Sequence, residues 1–254
     1  MRKQDHMVLA EHIAKTYGQD IPQAYIRAYL RGNVAPDENP VTYLHGFRYG
    51  MKFHGHNYEN ILPTIKRLYG SLLKKKSLGL IDYYRLGKLS HYTADSFTYP
   101  HNAIFPGSIV DHVKYESVLR YHLEDFLKAP KLLDFSPQQG DPRAQNPSAQ
   151  RPRAQGSCAQ NAEHACDDLY TQFRAFHADY RAAAGEYDTD CSYICTACVR
   201  VFEIALQRSS IIDDVGRVFD EIGDIHGQIL DGIEDGLGEI DDPQVPFPNA
   251  PAAR

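Results

Sequence analysis

Apolar residues recur along most of this chain at intervals of three and four, the period of a helix that buries one face. Residues 5–16 read as a first helix and residues 22–30 as a second. Between residues 57 and 75, Ile61, Leu62, Ile65, Leu68, Tyr69, Leu72 and Leu73 fall on one stripe. Residues 77–97 make a further helix that stops near Pro100. Residues 111–127 follow, with Val113, Val118, Leu119, Leu123 and Phe126 as the apolar stripe and Asp111 as N-cap or first-turn acid. Helical pattern returns at 167–184 and 192–207, and again at 211–240, where glycines break it. Alternating Val/Ile/Thr runs are nearly absent, so the expected class is all-α.

The polar stretches divide these helices. Gly32-Asn33-Val34-Ala35-Pro36-Asp37-Glu38-Asn39-Pro40 is rich in helix breakers and is expected to be a loop. Residues 136–165 carry Pro137, Pro142, Pro147 and Pro152 among many Gln, Ala and Arg and almost no large apolar residue. Such a segment cannot offset its ordering entropy by burial, and the expectation is a mobile, disordered insertion. The Pro-rich tail 241–254 is expected to fray. The organisation is thus one all-α domain over 1–240 with an insertion and a disordered tail.

Composition narrows the function classes. An apolar fraction of 43% supports a real core, and 24% charged residues is ordinary for a globular protein. The formal net charge of -6 lacks the basic footprint that duplex nucleic acid demands, so no duplex partner is expected. No apolar run is long enough to span a membrane, and the first residues do not form a signal-peptide pattern; the expected location is cytoplasmic. Five cysteines, an odd number clustered late in the chain, do not read as a disulfide framework. Cys191-x3-Cys195-x2-Cys198 invites a zinc reading, but interleaving with Ile194, Ala197, Val199 and Val201 favours buried free thiols.

The candidate chemistry lies in the first half, where nine of the twelve histidines fall. His91 and Asp95 are spaced i,i+4, as are His112 and Glu116, and that spacing stacks side chains on one helix face. His101 lies between the two pairs. A single such pair is more often a surface or capping interaction; three histidines and two carboxylates within 26 residues are the ligand types of a zinc site with open positions. If the helices carrying the two pairs pack antiparallel, His101, His112 and Glu116 can surround one metal while His91 and Asp95 face another. Upstream, Asp37 and His56 form a second candidate group, against the alternatives of an N-cap or Asx-turn for Asp37 and a plain loop histidine for His56. His45 and His54 stay outside the candidate site. Tyr92, Phe97, Tyr99 and Phe105 are close to the ligands in sequence, where aromatics more often serve the core than a pocket.

The run His91-x3-Asp95-x5-His101 followed by His112-x3-Glu116 resembles the signature of the zinc-dependent phospholipase C family, which is related to fungal single-strand-specific nucleases. The blocks Pro36-Asp37-Glu38-Asn39-Pro40 and Gly55-His56-Asn57-Tyr58-Glu59-Asn60 are similar to the upstream ligands of bacterial members. The similarity covers roughly residues 5–128, with a weaker echo at 193–206. It implies an all-α, multi-helix phospholipase C/single-strand nuclease-like fold and two or three zinc ions. By the same resemblance Asp37, His56, His91 and Asp95 hold one zinc, and His101, His112 and Glu116 another. Asp95 then bridges to a third ion, which secreted relatives hold partly through an N-terminal tryptophan and a histidine of the first helix. This chain has no tryptophan; His6 is the best match for the histidine and His12 the next. The implied activity is phosphodiester hydrolysis. Metal chemistry makes it an in-line attack by a zinc-activated water, with Asp37 or another carboxylate near the metals to orient the water or act as base. The implied partner is a phospholipid or other phosphodiester, with possible peripheral membrane contact. Two alternatives remain open: a nuclease or nucleotidase with the same zinc cluster, and a non-enzymatic, metal-binding helical protein.

Overall fold

The computed structural model describes residues 1–39, 55–133 and 158–208. Among these residues there are seven α-helices and no strand: α1 Lys3–Tyr17, α2 Gln23–Glu38, α3 Tyr58–Leu73, α4 Leu80–Ser96, α5 Ile109–Phe126, α6 Cys158–Ala183 and α7 Tyr187–Arg208. A single 3-10 turn, Tyr99–His101, joins α4 to the approach of α5. The all-α expectation holds. No described helix is long and apolar enough to cross a membrane.

Helix α4 is the centre of the bundle. It packs against α1, α2, α3 and α7, and every residue from Leu89 to Ser96 is buried. A helix buried on all sides must satisfy its polar groups internally. Ser96 Oγ donates to Tyr92 O at 2.8 Å, Ser90 Oγ meets Tyr29 Oη at 3.1 Å, and the Cys198 thiol donates to Ser90 O. Among the described residues Thr93 Oγ1 has no hydrogen-bond partner, and His91 and Asp95 find theirs only outside the helix.

The closest crossing is that of α2 and α4, and it overturns the loop expected at 32–40. Helix α2 runs on through Gly32 and Pro36 to Glu38. A Cβ on Gly32 would sit 2.0 Å from Tyr84 O, and one on Gly87 would sit 2.1 Å from Tyr29 O. The two glycines therefore mark a helix–helix contact. Pro36 is tolerated four residues after Gly32 because the packed helices hold the backbone against the local break. Asp37 thus projects from the last turn of a helix.

Helix α5 starts at a capping box: Asp111 N–H meets Ser108 Oγ at 3.3 Å, and Asp111 Oδ2 accepts from Ser108 N–H at 2.9 Å. Asp111 is therefore the first-turn acid. The predicted stripe is only partly buried: Leu119 and Leu123 are in the core, whereas Val113 and Val118 are exposed. The reason is that α5 rests on α7 and barely touches α4, so the close pairing of the two ligand helices that the sequence left as a condition is not what brings their residues together. Helix α7 answers with Ile194, Val201, Phe202 and the thiols of Cys191, Cys195 and Cys198, all free and buried. Burial pushes Cys191 and Cys198 up to about 12, which keeps them protonated.

Helix α6 begins at Cys158, so the last residues of the predicted insertion are helical. The remainder of that insertion, the helix predicted over 211–240, the tail 241–254, and His45 and His54 lie outside the described residues. An aromatic cluster seats α6: Phe173, Phe176 and Tyr180 gather around Phe97, with ring centroids 5.4–5.6 Å away. Phe97 and Tyr92 are therefore core residues.

Candidate metal centre

All eight residues singled out from the sequence come together at the base of α4. His6 is on α1, Asp37 on α2, and His56 immediately ahead of α3; His91 and Asp95 lie on α4, His101 in the 3-10 turn, and His112 and Glu116 on α5. Their ligand atoms form three groups: His6, His91 and Asp95; Asp37, His56 and His91; and His101, His112 and Glu116. His12 is in none of them.

In the upstream part, both carboxylates approach both imidazoles. His91 Nε2 lies 3.3 Å from Asp95 Oδ2, 3.4 Å from His56 Nδ1 and 3.7 Å from Asp37 Oδ1. His56 Nδ1 lies 3.2 Å from Asp95 Oδ2 and 3.6 Å from Asp37 Oδ1. Tetrahedral zinc with bonds of ~2.0–2.1 Å separates its ligand atoms by roughly 3.3–3.4 Å. In the downstream part Glu116 Oε1 lies 3.1 Å from His101 Nε2 and 3.0 Å from His112 Nε2. Asp95 spans both parts, with Oδ2 toward His56 and His91 and Oδ1 3.1 Å from His6 Nε2 and 3.9 Å from His101 Nε2.

The tautomers show what these separations mean. A main-chain carbonyl only accepts, so the His91 Nδ1–H donates to Asn33 O at 2.8 Å, and the His101 Nδ1–H to His56 O at 3.2 Å. In each neutral ring Nε2 then carries a lone pair, aimed at a carboxylate oxygen. Asp95 Oδ2 has no hydrogen-bond partner. Acceptors that converge on acceptors in a buried site call for a cation. Beside His101 the Met1 ammonium is one, and beside His91 a metal would serve. There a backbone-anchored Nδ1–H is the usual outer support of a metal-ligating imidazole. The residues fit zinc.

One group was missed from the sequence. The Met1 α-amino nitrogen is buried here, 2.7 Å from Asp95 Oδ1, 3.0 Å from Glu116 Oε1 and 3.1 Å from His101 Nε2. A main-chain amine carries no residue-type signal. Burial pulls the amine down, but Asp95 and Glu116 outweigh it and lift it to about 11. In turn, and against their own burial, the amine holds Asp95 and Glu116 well below the ordinary carboxylate range.

A cavity of about 300 Å³ opens beside the downstream group, lined by His112, Pro100, Asn57, Asn102, Phe105, Ile109 and Glu59. His112 is the most exposed of the histidines in the three groups, at 19% of its side chain, whereas His6, His91 and Asp95 are fully enclosed. Of the aromatics near the ligands, Phe105 reaches the cavity. Glu59, in the first turn of α3, was not singled out beforehand; it had only the signal of a helix-start acid.

Buried histidines set the response to acid. Burial and the neighbouring His91 push His6 down to about 4, and burial pushes His177 to about 3 and lowers His101. Free histidine titrates near ~6.5, so below that pH the unfolded chain takes up protons that the fold refuses, and stability falls as pH falls. Asp190 opposes this: burial pushes it up to about 7, so the fold keeps a proton that an unfolded aspartate releases above ~3.9. Burial also lowers His12 and raises Asp5; four histidines against two aspartates leave a net loss. The melting temperature of chelator-treated protein is expected to drop steadily from pH 6.5 to 4.5; a flat or rising profile contradicts this account.

A family model described as zinc dependent phospholipase C matches residues 5–187, more than half of the chain. No curated protein and no solved structure matches it.

Proposed function

Because the chain belongs to the zinc-dependent phospholipase C family, we propose that it is a zinc-dependent phosphodiester hydrolase acting on a phospholipid or a related phosphodiester. The observation that carries this reading is the convergence of imidazole lone pairs and carboxylate oxygens, with the tautomers anchored from behind by Asn33 O and His56 O. Asp37, His56, His91 and Asp95 would hold one zinc. His101, His112 and Glu116 would hold a second. His6 and the other oxygen of Asp95 would be donors for a third.

When bound, zinc lowers the pKa of a water toward ~7 and neutralises charge on phosphoryl oxygens. The chain's own residues do the rest. The cavity beside His112 receives the phosphodiester, and its volume of about 300 Å³ suits a head group and phosphate better than acyl chains. Asp37 orients the attacking water and accepts its proton. The enclosure of Asp95 and His91 keeps bulk water from the far side of the cluster.

The lining favours a lipid over a nucleic acid. Among the described residues the cavity has one aromatic, Phe105, where base stacking would use more. Beside it, the first turn of α5 exposes Ile109, Val110 and Val113, an apolar rim suited to a lipid surface. A coordinatively closed, non-catalytic site is disfavoured by the position of His112 on the cavity wall. The test is zinc loading followed by elemental analysis and a substrate panel of phosphatidylcholine, single-stranded DNA and an aryl phosphodiester. Two or three zinc ions per chain are expected, with hydrolysis that a chelator abolishes and zinc restores. Less than one ion per chain after loading overturns the proposal.

A further inference from the structure

Asp190, in the first turn of α7, is fully buried and lies outside the three ligand groups. Its Oδ2 accepts the Tyr99 main-chain N–H at 2.8 Å and the Tyr115 hydroxyl at 3.1 Å, and its Oδ1 accepts the Tyr180 hydroxyl at 2.8 Å. Two of these three donors adjoin ligands. Tyr99 opens the 3-10 turn that ends at His101, and Tyr115 precedes Glu116 on α5. Tyr180 belongs to α6, which carries no ligand.

We infer that Asp190 is a positioning residue for the His101–His112–Glu116 group, tying the turn that carries His101 to the helix that carries His112 and Glu116. The inference rests on the metal reading proposed above. Its physical ground is the packing: α5 leans on α7 and not on α4, so helix pairing between the ligand-bearing elements does not set the distance from His101 to Glu116. A carboxylate that grips the turn and α5 with the same oxygen does. Metal sites tolerate little slack in their ligands, and outer partners that orient them typically govern affinity ~10–100-fold. The opposing view is that Asp190 is a satisfied core carboxylate whose three hydrogen bonds serve stability alone.

The two tyrosines separate these views, since each gives one hydroxyl to the same carboxylate and Phe preserves both rings. Tyr115→Phe and Tyr180→Phe are compared with the parent protein by Co2+ titration, read as visible absorption, and by thermal melting. A His112→Ala variant identifies the ion that belongs to the downstream group. Both Phe variants are expected to melt at similar, lowered temperatures. Tyr115→Phe is expected to weaken the ion lost in His112→Ala by ~10-fold or more, with the other ion unchanged, whereas Tyr180→Phe stays within about 2-fold of the parent at every ion. Equal effects of the two substitutions on Co2+ binding, or no effect of either, overturn the inference and leave the metal reading standing. A parent protein that binds no Co2+ overturns both.

Discussion

Asp95→Asn is expected to remove phosphodiesterase activity and to lower the bound zinc at the same time. Asp95 is fully buried, and its two oxygens face different groups: Oδ2 meets His56 and His91, and Oδ1 meets His6 and the Met1 amine. An asparagine keeps one acceptor and turns the other into an N–H2 donor. That donor can be served by the lone pair of His91 only by taking the place of the cation. The substitution also removes the negative charge that balances the Met1 amine, which stays enclosed with Glu116 as its remaining carboxylate partner. Loss of a mere outer partner of a ligand costs ~10–100-fold in affinity or activity; loss of a shared ligand should exceed ~100-fold in turnover on an aryl phosphodiester. Elemental analysis is expected to show at least one zinc fewer per chain. A variant with near-normal turnover would rule out the spanning role of Asp95.

Much of this site was legible in the chain because its chemistry is local. His91 with Asp95 and His112 with Glu116 are one helical turn apart, so the period that reveals α4 and α5 also places their ligands on one face. The stripe of α3 was readable for the same reason. What escaped depends on contacts between distant segments. Val113 and Val118 look like core positions until the axis of α5 is known; its burial follows the narrow line Glu116, Leu119 and Leu123. Asp190 precedes the helix expected over 192–207, and only the fold shows that Tyr99, Tyr115 and Tyr180 converge on it. The Met1 amine is invisible to any search by side-chain type. Gly32 and Pro36 were read by their local preference for loops, which the crossing of α2 over α4 overrides.

That crossing supplies a substitution for which local and tertiary reasoning predict opposite signs. In an exposed helix Gly→Ala stabilises by up to ~1 kcal/mol. At Gly32 the new methyl would stand 2.0 Å from Tyr84 O, and a main-chain carbonyl cannot swing aside as a flexible side chain can. The helices must part by more than an ångström, and overpacking of that kind against rigid backbone costs ~3 kcal/mol or more. The separation also acts on the site, because Asn33, the next residue, holds the His91 Nδ1–H at 2.8 Å, and Asp37 is carried on the same helix. Gly32→Ala is therefore expected to lower the denaturation midpoint clearly and to weaken zinc in the Asp37, His56, His91 and Asp95 group by at least ~10-fold. The ion proposed for His101, His112 and Glu116, whose elements do not include α2, is expected to change less. Denaturant unfolding and a metal titration on the same preparation measure both effects. A Gly32→Ala protein more stable than the parent would mean that α2 and α4 do not approach as closely as the two glycines indicate. The anchoring of His91 by Asn33 would then lose its structural basis.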